Sequence, residues 1–358
     1  MIAILGAGNA GRAMAGELAL RGAPVALWNR TAAHVAALHA RGGVELDGEV
    51  TGFGRLRLVS DDLEQVLDGC RLVIVNVPAF AHRELAERCA PYLCEEQVVV
   101  LNPGRTFGAL EFRRALEASA CSEGVLVAET ATNLMTARSA GPAQSYIARV
   151  KHAVPVAAIP AARTPEVVAA LGEWYPQFTA AASTLETSFA NVGAVIHPAI
   201  SLLNAARIEN DQGRFEFYLD GISPRVAGVL AAVDRERMAV AALLGVEVPG
   251  LVEWLASAYR ATGRNLFEAV RANEGYRGIT APSTLEHRYI LEDVPMSLVP
   301  IASAGQAFGL NTRAIEALIF LAGLIMDTNY WTWGRTLETL GLAGLSPGEI
   351  RRIVETGS

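Results

Sequence analysis

The sequence is poor in several features that mark particular classes of protein. Of its 358 residues only Lys151 is a lysine, and the net charge is -7 with no long basic run. A protein that binds nucleic-acid phosphates concentrates positive charge on one face. We therefore expect no nucleic-acid partner.

Cysteine is also scarce, and its spacing excludes the common metal and redox motifs. The four cysteines are all in the first third of the chain, and no pair has CxxC spacing. We predict buried thiols of a reducing compartment and no metal site. The residues concerned are Cys70, Cys89, Cys94 and Cys121.

No apolar run reaches the roughly 20 residues that a membrane-spanning helix needs. The most apolar later stretch, residues 314–326, is shorter and contains Glu316, so it predicts a buried core helix. The apolar start of the chain runs straight into a glycine loop, which is not typical of a signal peptide. These patterns predict a cytoplasmic protein with no membrane partner.

What the sequence does contain is apolar: 51% of the residues are hydrophobic, enough for two domains. Continuous β-branched runs alternate with helical patterns up to about residue 160, which is typical of parallel strands buried on both faces. Long Ala- and Leu-rich segments with helical spacing follow, such as residues 189–209 and 223–245. We predict an α/β fold, with a doubly wound Rossmann domain over residues 1–183 and a mainly α-helical second domain over residues 184–358. The runs are residues 1–5, 24–28, 72–77, 97–101, 124–129 and 154–159.

The first dozen residues, MIAILGAGNAGR, contain GxGxxG between a strand-like run and a helical one. In this context the motif predicts a dinucleotide pyrophosphate site, because its glycines allow a tight turn, a close backbone approach and helix packing. The helix N-terminus offers N–H groups to the phosphates. The predicted cofactor contacts are Gly6, Ala7, Gly8, Asn9, Ala10 and Gly11.

The end of the second strand predicts which dinucleotide is bound. NAD-dependent domains usually have an acidic residue here, whereas this chain has Asn29, Arg30 and Thr31, so we expect no carboxylate at this strand end to repel a 2′-phosphate. Arg30 can pair with a 2′-phosphate, so NADP(H) is favoured, with NAD(H) left open. The alternative is that Arg30 is a solvated residue that stacks on adenine.

Later strand ends should face the same cofactor, because ligands of open parallel sheets bind beyond the carboxyl ends of the strands. Two of these ends are interrupted by proline, in NVPAFAH and NPGRTFG. From them we predict further cofactor contacts at Val77, Pro78, Asn102, Pro103 and Gly104.

His197 is the histidine whose surroundings best suit proton transfer. It lies in an apolar helical pattern, with Asn191 and Asn204 about two turns to either side on nearly the same face. We predict that this polar row includes an acid/base histidine and substrate contacts at both asparagines. A satisfied core histidine is the alternative, and the pattern leaves both open.

Four segments together resemble the opine dehydrogenase family of the octopine and nopaline type, over nearly the full length of the chain. They are FANVGAVIHPAISLLNAARIE, HRYILEDVPMSLVPIASAGQAFGLNT, LNPGRTFGALEF and AETATNLMTARSAGP. The resemblance implies an oxidoreductase acting on CH–NH bonds. The α-amine of an amino acid and a 2-oxo acid condense to an imine, which NAD(P)H reduces to an opine.

The resemblance also implies roles for individual residues. His197 would be the acid/base residue with Asp293 as its partner, Arg288 would reach the cofactor pyrophosphate, and Glu129 and Thr130 would contact substrate. The run ATNLM after Glu129-Thr130 departs from the Tyr-Ala-Cys run of many members, so the amino-acid pocket does not carry over.

Two other functions fit parts of the pattern. A 3-hydroxyacid or glycerol-3-phosphate dehydrogenase would share the glycine loop, but those families resemble each other in using a helix lysine, and Lys151 is at the end of the first domain. A non-catalytic NADP sensor would not need His197 and Asp293 together. The apolar helices of the second half suit either a homodimer surface or a large core, and the sequence does not choose.

Overall fold

The computed structural model of this chain describes residues 1–117 and 124–358, and Cys121 lies outside the described residues. The chain forms two compact units, Met1–Ser188 with Arg352–Ser358, and Phe189–Arg351. The first unit is α/β and the second is built mainly from helices. The predicted fold class is therefore confirmed, whereas a domain boundary between residues 183 and 184 stays a prediction.

The strands of the first unit form two sheets. In chain order they are β1 (Ile2–Leu5), β2 (Val25–Trp28), β3 (Gly43–Gly48), β4 (Gly52–Arg55), β5 (Leu58–Ser60), β6 (Leu72–Val75), β7 (Val98–Leu101), β8 (Leu126–Thr130), β9 (Met135–Gly141), β10 (Gln144–Val150), β11 (Val154–Ile159) and β12 (Phe178–Ala180).

The main sheet has eight strands in the order β12-β11-β8-β7-β6-β1-β2-β5. All its neighbours pair in parallel except β8 and β11. Every residue of β1, β2 and β6 is buried, because helices cover both faces. Each of the six predicted apolar runs overlaps one strand of this sheet, namely β1, β2, β6, β7, β8 or β11. The carboxyl ends of β1, β6, β7 and β8 consequently meet at one edge.

A second sheet, in the order β4-β3-β10-β9, was not predicted from the sequence. It packs on the first helix, where a side-chain carbon added to Gly16 would lie 2.9 Å from Val44. Its strand β10 alternates buried and exposed residues over part of its length, the usual pattern for a sheet with one solvated face. The glycine-rich strands β3 and β4 of the same sheet lack that pattern.

The longer helices of the first unit cover the main sheet, and shorter ones join its strands. They are α1 (Asn9–Leu20), α2 (Ala32–Arg41), α3 (Leu63–Leu67), α4 (His82–Cys89), α5 (Gly108–Leu116), α6 (Thr164–Gly172) and α7 (Thr184–Phe189).

The second unit continues with α8 (Gly193–Leu203), α9 (Ala205–Asp211), α10 (Pro224–Leu243), α11 (Leu251–Tyr259), α12 (Leu266–Arg271), α13 (Arg288–Leu291), α14 (Val299–Ala307), α15 (Arg313–Ile325) and α16 (Tyr330–Trp333), and the chain ends with α17 (Pro347–Thr356).

The prediction of one long helix around His197 is wrong. The segment is divided into α7, α8 and α9, and α8 begins only at Gly193 and ends at Leu203. Asn191 precedes α8, and Asn204 ends it with a non-helical backbone. The two asparagines therefore do not continue the helical face of His197, because the backbone leaves the helix before it reaches either one.

Two burial predictions also need correction. Cys70 and Cys89 are buried, but Cys94 is exposed. The apolar helix α15 buries Ile315, Leu318 and Ile319 on one face, whereas Phe320 and Leu324 are exposed.

Across the described ranges, no single helix combines the length and apolarity of a membrane span. Only a pair broken by a 69° bend, Thr184–Leu203 with Ala205–Asp211, meets those criteria jointly.

Candidate active site

The glycine loop joins β1 to α1 in the way the motif requires. Gly6 has a φ of +110°, which a glycine adopts without strain. A Cβ on Gly11 would lie 1.8 Å from the carbonyl oxygen of Gly6, so α1 can approach the turn only because position 11 has no side chain. Both glycines are thus explained by packing within the protein.

Gly8 differs, because no atom lies within 4 Å of the place where its Cβ would be. Gly8 and Asn9 are exposed, and α1 begins at Asn9 with no side-chain cap on its first N–H groups. A helix N-terminus of this kind favours an anion through its N–H groups and its dipole. The open space and the bare helix end together fit a dinucleotide pyrophosphate.

Two neighbouring side chains order this loop. The Ala7 N–H donates to Oδ1 of Asn29 at 3.0 Å, so this loop N–H is engaged by the protein itself. The Ser139 N–H donates to Oδ1 of Asn9 at 3.1 Å. Asn29 therefore contributes to the predicted site by holding the loop, and β9 lies beside the start of α1.

A carboxylate lies near the end of β2, although the residues of that strand end include no acidic side chain. Arg30 is exposed, and its guanidinium lies 3.7 Å from the carboxylate of Glu84 on α4. Arg88 approaches the same carboxylate at 3.8 Å and lies over the ring of Trp28. The inference that no carboxylate is near this strand end is therefore wrong, because the fold brings Glu84 there from another helix. Thr31 is exposed at the start of α2.

The ends of β6 and β7 are joined by a side-chain hydrogen bond. The amide of Asn102 donates to Oδ1 of Asn76 at 2.9 Å. Val77 is half-buried and Pro78 exposed, whereas Asn102, Pro103 and Gly104 are all buried. Of the predicted contacts on these two ends, Val77 and Pro78 present accessible surface.

Glu129 is fully buried at the end of β8 and makes several hydrogen bonds within the first unit. Its Oε2 accepts from the Ala109 N–H at 2.7 Å, and its Oε1 accepts from the hydroxyls of Thr187 and Ser188 at 2.8 and 2.7 Å. A Cβ on Gly104 would lie 2.2 Å from Oε2, so that glycine makes room for the carboxylate. These contacts give Glu129 a structural role at the start of α5.

Thr130 is buried beside Glu129. Its hydroxyl donates to the carbonyl of Thr132 at 2.9 Å and lies 3.2 Å from Oδ1 of Asn102. The substrate roles of Glu129 and Thr130 stay predictions.

In the second unit, His197 and Asp293 meet although 96 residues separate them in the sequence. His197 lies in α8, and Asp293 lies between α13 and a π-helical turn over Val294–Leu298. Nδ1 of His197 is 2.8 Å from Oδ2 of Asp293, whose side chain is fully buried. A buried carboxylate beside Nδ1 fixes the proton on that nitrogen, so Nε2 is left for proton exchange.

Aromatic rings surround this imidazole. Tyr289 is stacked on His197 with ring centroids 4.1 Å apart and an interplanar angle of 18°. The hydroxyl of Tyr218 lies 3.3 Å from Nε2. Burial, with a smaller effect of Tyr289, Tyr276 and Tyr259, raises the pKa of Tyr218 well above its ordinary value of 10.0, so its phenol stays protonated at neutral pH.

His287 lies next to this group, edge-on to Tyr289 with centroids 4.4 Å apart. Burial, and then the charge of Arg288, lowers the pKa of His287 to about 4. It is therefore neutral at neutral pH, and its Nδ1 accepts the Tyr289 N–H at 3.4 Å.

The remaining predicted residues of the second unit have different surroundings. Asn191 is buried close to His197, since a Cβ on Gly193 would lie 3.3 Å from Oδ1 of Asn191 and 3.1 Å from Cε1 of the histidine. The amide of Asn204 instead donates to the carbonyls of Ile200 and Gly221, both at 2.9 Å. Arg288 is half-exposed, 3.8 Å from Glu292.

Sequence reasoning did not find Tyr218, Tyr289, His287 or Glu84. The only signal was the aromatic cluster FEFY at residues 215–218, which is equally typical of a core. Among the residues that the structure describes, no group of three His, Cys, Asp or Glu side chains is arranged to hold a metal.

Comparisons with known proteins match both parts of the chain. The model of a family described as NAD/NADP octopine/nopaline dehydrogenase, alpha-helical domain, matches residues 180–326, and that of ketopantoate reductase PanE/ApbA matches residues 2–131. An opine dehydrogenase of Arthrobacter sp. (strain 1C) is 38% identical over 99% of this chain and 98% of its own length.

Two solved structures share the fold. An octopine dehydrogenase with NADH and L-arginine has a TM-score of 0.80 at 20% identity and covers 100% of this chain and 98% of its own. An NADP+-bound yersinopine dehydrogenase has a TM-score of 0.74 at 17% identity, covering 99% and 97%. The near full-length match to the Arthrobacter protein, at 38% identity, shows that the chain belongs to the octopine/nopaline family of opine dehydrogenases.

Proposed function

We propose that this protein joins the α-amine of an amino acid to a 2-oxo acid through an imine, reduces the imine with a nicotinamide cofactor, and catalyses the reverse oxidation. The observation that carries the proposal is the 2.8 Å contact between Nδ1 of His197 and Oδ2 of Asp293. The chain that makes this contact belongs to a family of opine dehydrogenases. Simple hydroxyacid and glycerol-3-phosphate dehydrogenases were the main alternatives, and family membership favours the opine reaction.

The residues of the first unit fit the cofactor. Gly8 and the start of α1 would take the pyrophosphate. Arg288, in the second unit, remains a proposed pyrophosphate contact on the family resemblance alone. When bound, the reduced cofactor supplies a hydride. Ala10, Val77 and Pro78 remain proposed contacts, whereas Asn102, Pro103 and Gly104 would act by shaping the buried strand end.

We propose NADP(H) as the favoured dinucleotide, with NAD(H) as a second possibility. Arg30 is exposed and its guanidinium can pair with a 2′-phosphate. Glu84 reduces the positive potential at the same place, so the preference would depend on both residues. An NADP+-bound relative and NADH-bound relatives both exist in this fold family.

The chain's own acid/base chemistry would be carried by His197. Asp293 accepts the Nδ1–H and stabilises the imidazolium, so Nε2 can deliver a proton when the carbinolamine loses water and recover it in the reverse direction. Asn191 is the proposed substrate contact nearest this histidine. Asn204 bonds to backbone carbonyls, and a substrate role for it would require those bonds to change.

A matrix assay tests the proposal. Pairs of amino acids and 2-oxo acids are mixed with NADPH or NADH, and cofactor oxidation and the secondary-amine product are measured. We expect consumption only when both substrates are present. Consumption with the oxo acid alone would indicate a hydroxyacid dehydrogenase, and tight NADPH binding without consumption would indicate a sensor.

A further inference from the structure

The hydroxyl of Tyr218 occupies the position from which a proton would leave His197. In a neutral imidazole whose Nδ1–H donates to Asp293, Nε2 has one lone pair in the ring plane. The Tyr218 hydroxyl lies 3.3 Å from that nitrogen. After protonation the same Nε2–H would donate to the phenol oxygen.

Tyr218 is not placed to swing aside for a substrate. Its ring is stacked on Tyr276 with centroids 3.9 Å apart and an angle of 10°, and it meets Phe217 edge-on at 5.1 Å. Moving the phenol would break both ring contacts in a buried aromatic cluster. The imidazole is equally constrained, by Asp293 at one edge and Tyr289 over one face.

We propose that the Tyr218 hydroxyl relays the proton between Nε2 of His197 and the substrate oxygen, an inference that rests on the proposed function. In the forward direction, the Nε2–H bond breaks as the proton moves to the phenol oxygen. The Tyr218 O–H bond breaks as its own proton moves to the carbinolamine hydroxyl.

The step balances without any further reactant. The carbinolamine C–O bond breaks and its electron pair leaves with the oxygen as water. The nitrogen lone pair forms the C=N bond of an iminium ion. His197 is left neutral and Tyr218 regains a proton, and because the two proton transfers are concerted, no free tyrosinate forms.

The first test is Tyr218→Phe in the full-length protein, which keeps the ring and removes the hydroxyl. We expect unchanged NADPH affinity and a single-turnover rate constant for NADPH oxidation that falls about tenfold or more, as loss of an acid/base group does. Proton inventories in H2O/D2O mixtures should change from curved in the parent, where two protons move, to linear in the variant.

The matched control is Tyr330→Phe, which removes the hydroxyl of another buried tyrosine of the second unit. It should leave the rate constant and the curved inventory unchanged. If Tyr218→Phe does not fold, fluorinated tyrosines at position 218 keep the shape and lower the phenol pKa. A relay then predicts a rate constant that changes with fluorine number.

The outcomes separate the two proposals. A parent protein that consumes no NADPH with any substrate pair overturns the proposed function and the relay with it. An active parent, combined with a Tyr218→Phe rate constant within about twofold of the parent's or above it and an unchanged inventory, overturns the relay alone. A rate constant that does not change with fluorination of Tyr218 would also overturn the relay and leave the proposed function standing.

Discussion

His197 is held by contacts of three kinds, and each has a separate physical effect. Asp293 determines which ring nitrogen carries the proton, Tyr289 stabilises the imidazolium through its π face, and Tyr218 contacts the exchanging nitrogen. The side chain remains 14% exposed, so the ring is restrained but not sealed from solvent. The arrangement suits repeated gain and loss of one proton.

Replacing this histidine tests its role directly. His197→Ala should lower turnover about 100-fold or more, the usual scale for losing a general acid/base. NADPH affinity, measured by fluorescence titration, should be unchanged, since the glycine loop belongs to the first unit. His152→Ala, at an exposed histidine, is the control. If turnover of His197→Ala equals that of the parent, His197 is not the acid/base residue.

The charge cluster at Arg30 leads to a second expectation at the residue scale. Arg30→Ala should weaken NADPH binding about tenfold and leave NADH nearly unaffected, because only NADPH carries the 2′-phosphate. Glu84→Gln should strengthen NADPH binding by removing a nearby negative charge. Dissociation constants for both cofactors measure this. Equal losses for the two in Arg30→Ala would mean that the 2′-phosphate is recognised elsewhere.

At the scale of elements, two glycines of the β1–α1 turn have different roles: Gly11 is required for packing, and Gly8 leaves space for a ligand. Gly11→Ala would place a methyl group 1.8 Å from the Gly6 carbonyl oxygen, so it should lower the melting temperature and impair cofactor binding together. Gly8→Ala meets no protein atom, so the melting temperature should be retained while NADPH affinity falls.

Thermal unfolding and NADPH titration of both variants distinguish these effects. Unaltered NADPH binding in Gly8→Ala would show that the phosphates do not approach this position.

Element prediction succeeded where the determinants are local. The buried strands were found because short continuous runs of β-branched residues are typical of strands buried on both faces. Helix α10 was found from the helical periodicity between Ser223 and Gly245. The division of the segment around His197 was missed, because Asn191 and Asn204 fit a helical period while the backbone leaves the helix at both ends of α8. The second sheet was missed because β3 and β4 are rich in glycine and because exposed positions interrupt the apolar pattern of β9 and β10.

At the scale of the whole molecule, His287 couples folding to pH. Its pKa is lowered from 6.5 to about 4 in the folded protein, so between these values the unfolded chain binds a proton that the folded chain does not. The free energy of unfolding should therefore rise with pH across this window. Above the window, the contribution of His287 to that free energy is complete. Stability from this source is lost as the pH falls towards 4.

Urea unfolding of the full chain at several pH values in that window measures the effect. His287→Gln should show a flatter dependence than the parent, and His39→Gln, at an exposed position, should match the parent. Identical profiles for the parent and His287→Gln would show that this histidine does not couple folding to pH.

The sequence by itself determined the dinucleotide loop, the alternation of strands and helices, and the family, because each depends on residues close together in the chain or on motifs read in order. The tertiary structure decided which distant side chains meet. It placed Tyr218 on His197, Glu84 beside Arg30, and Thr187 and Ser188 on Glu129. Backbone preferences act over a few residues, whereas such contacts depend on the path of the whole chain, and no local pattern encodes them.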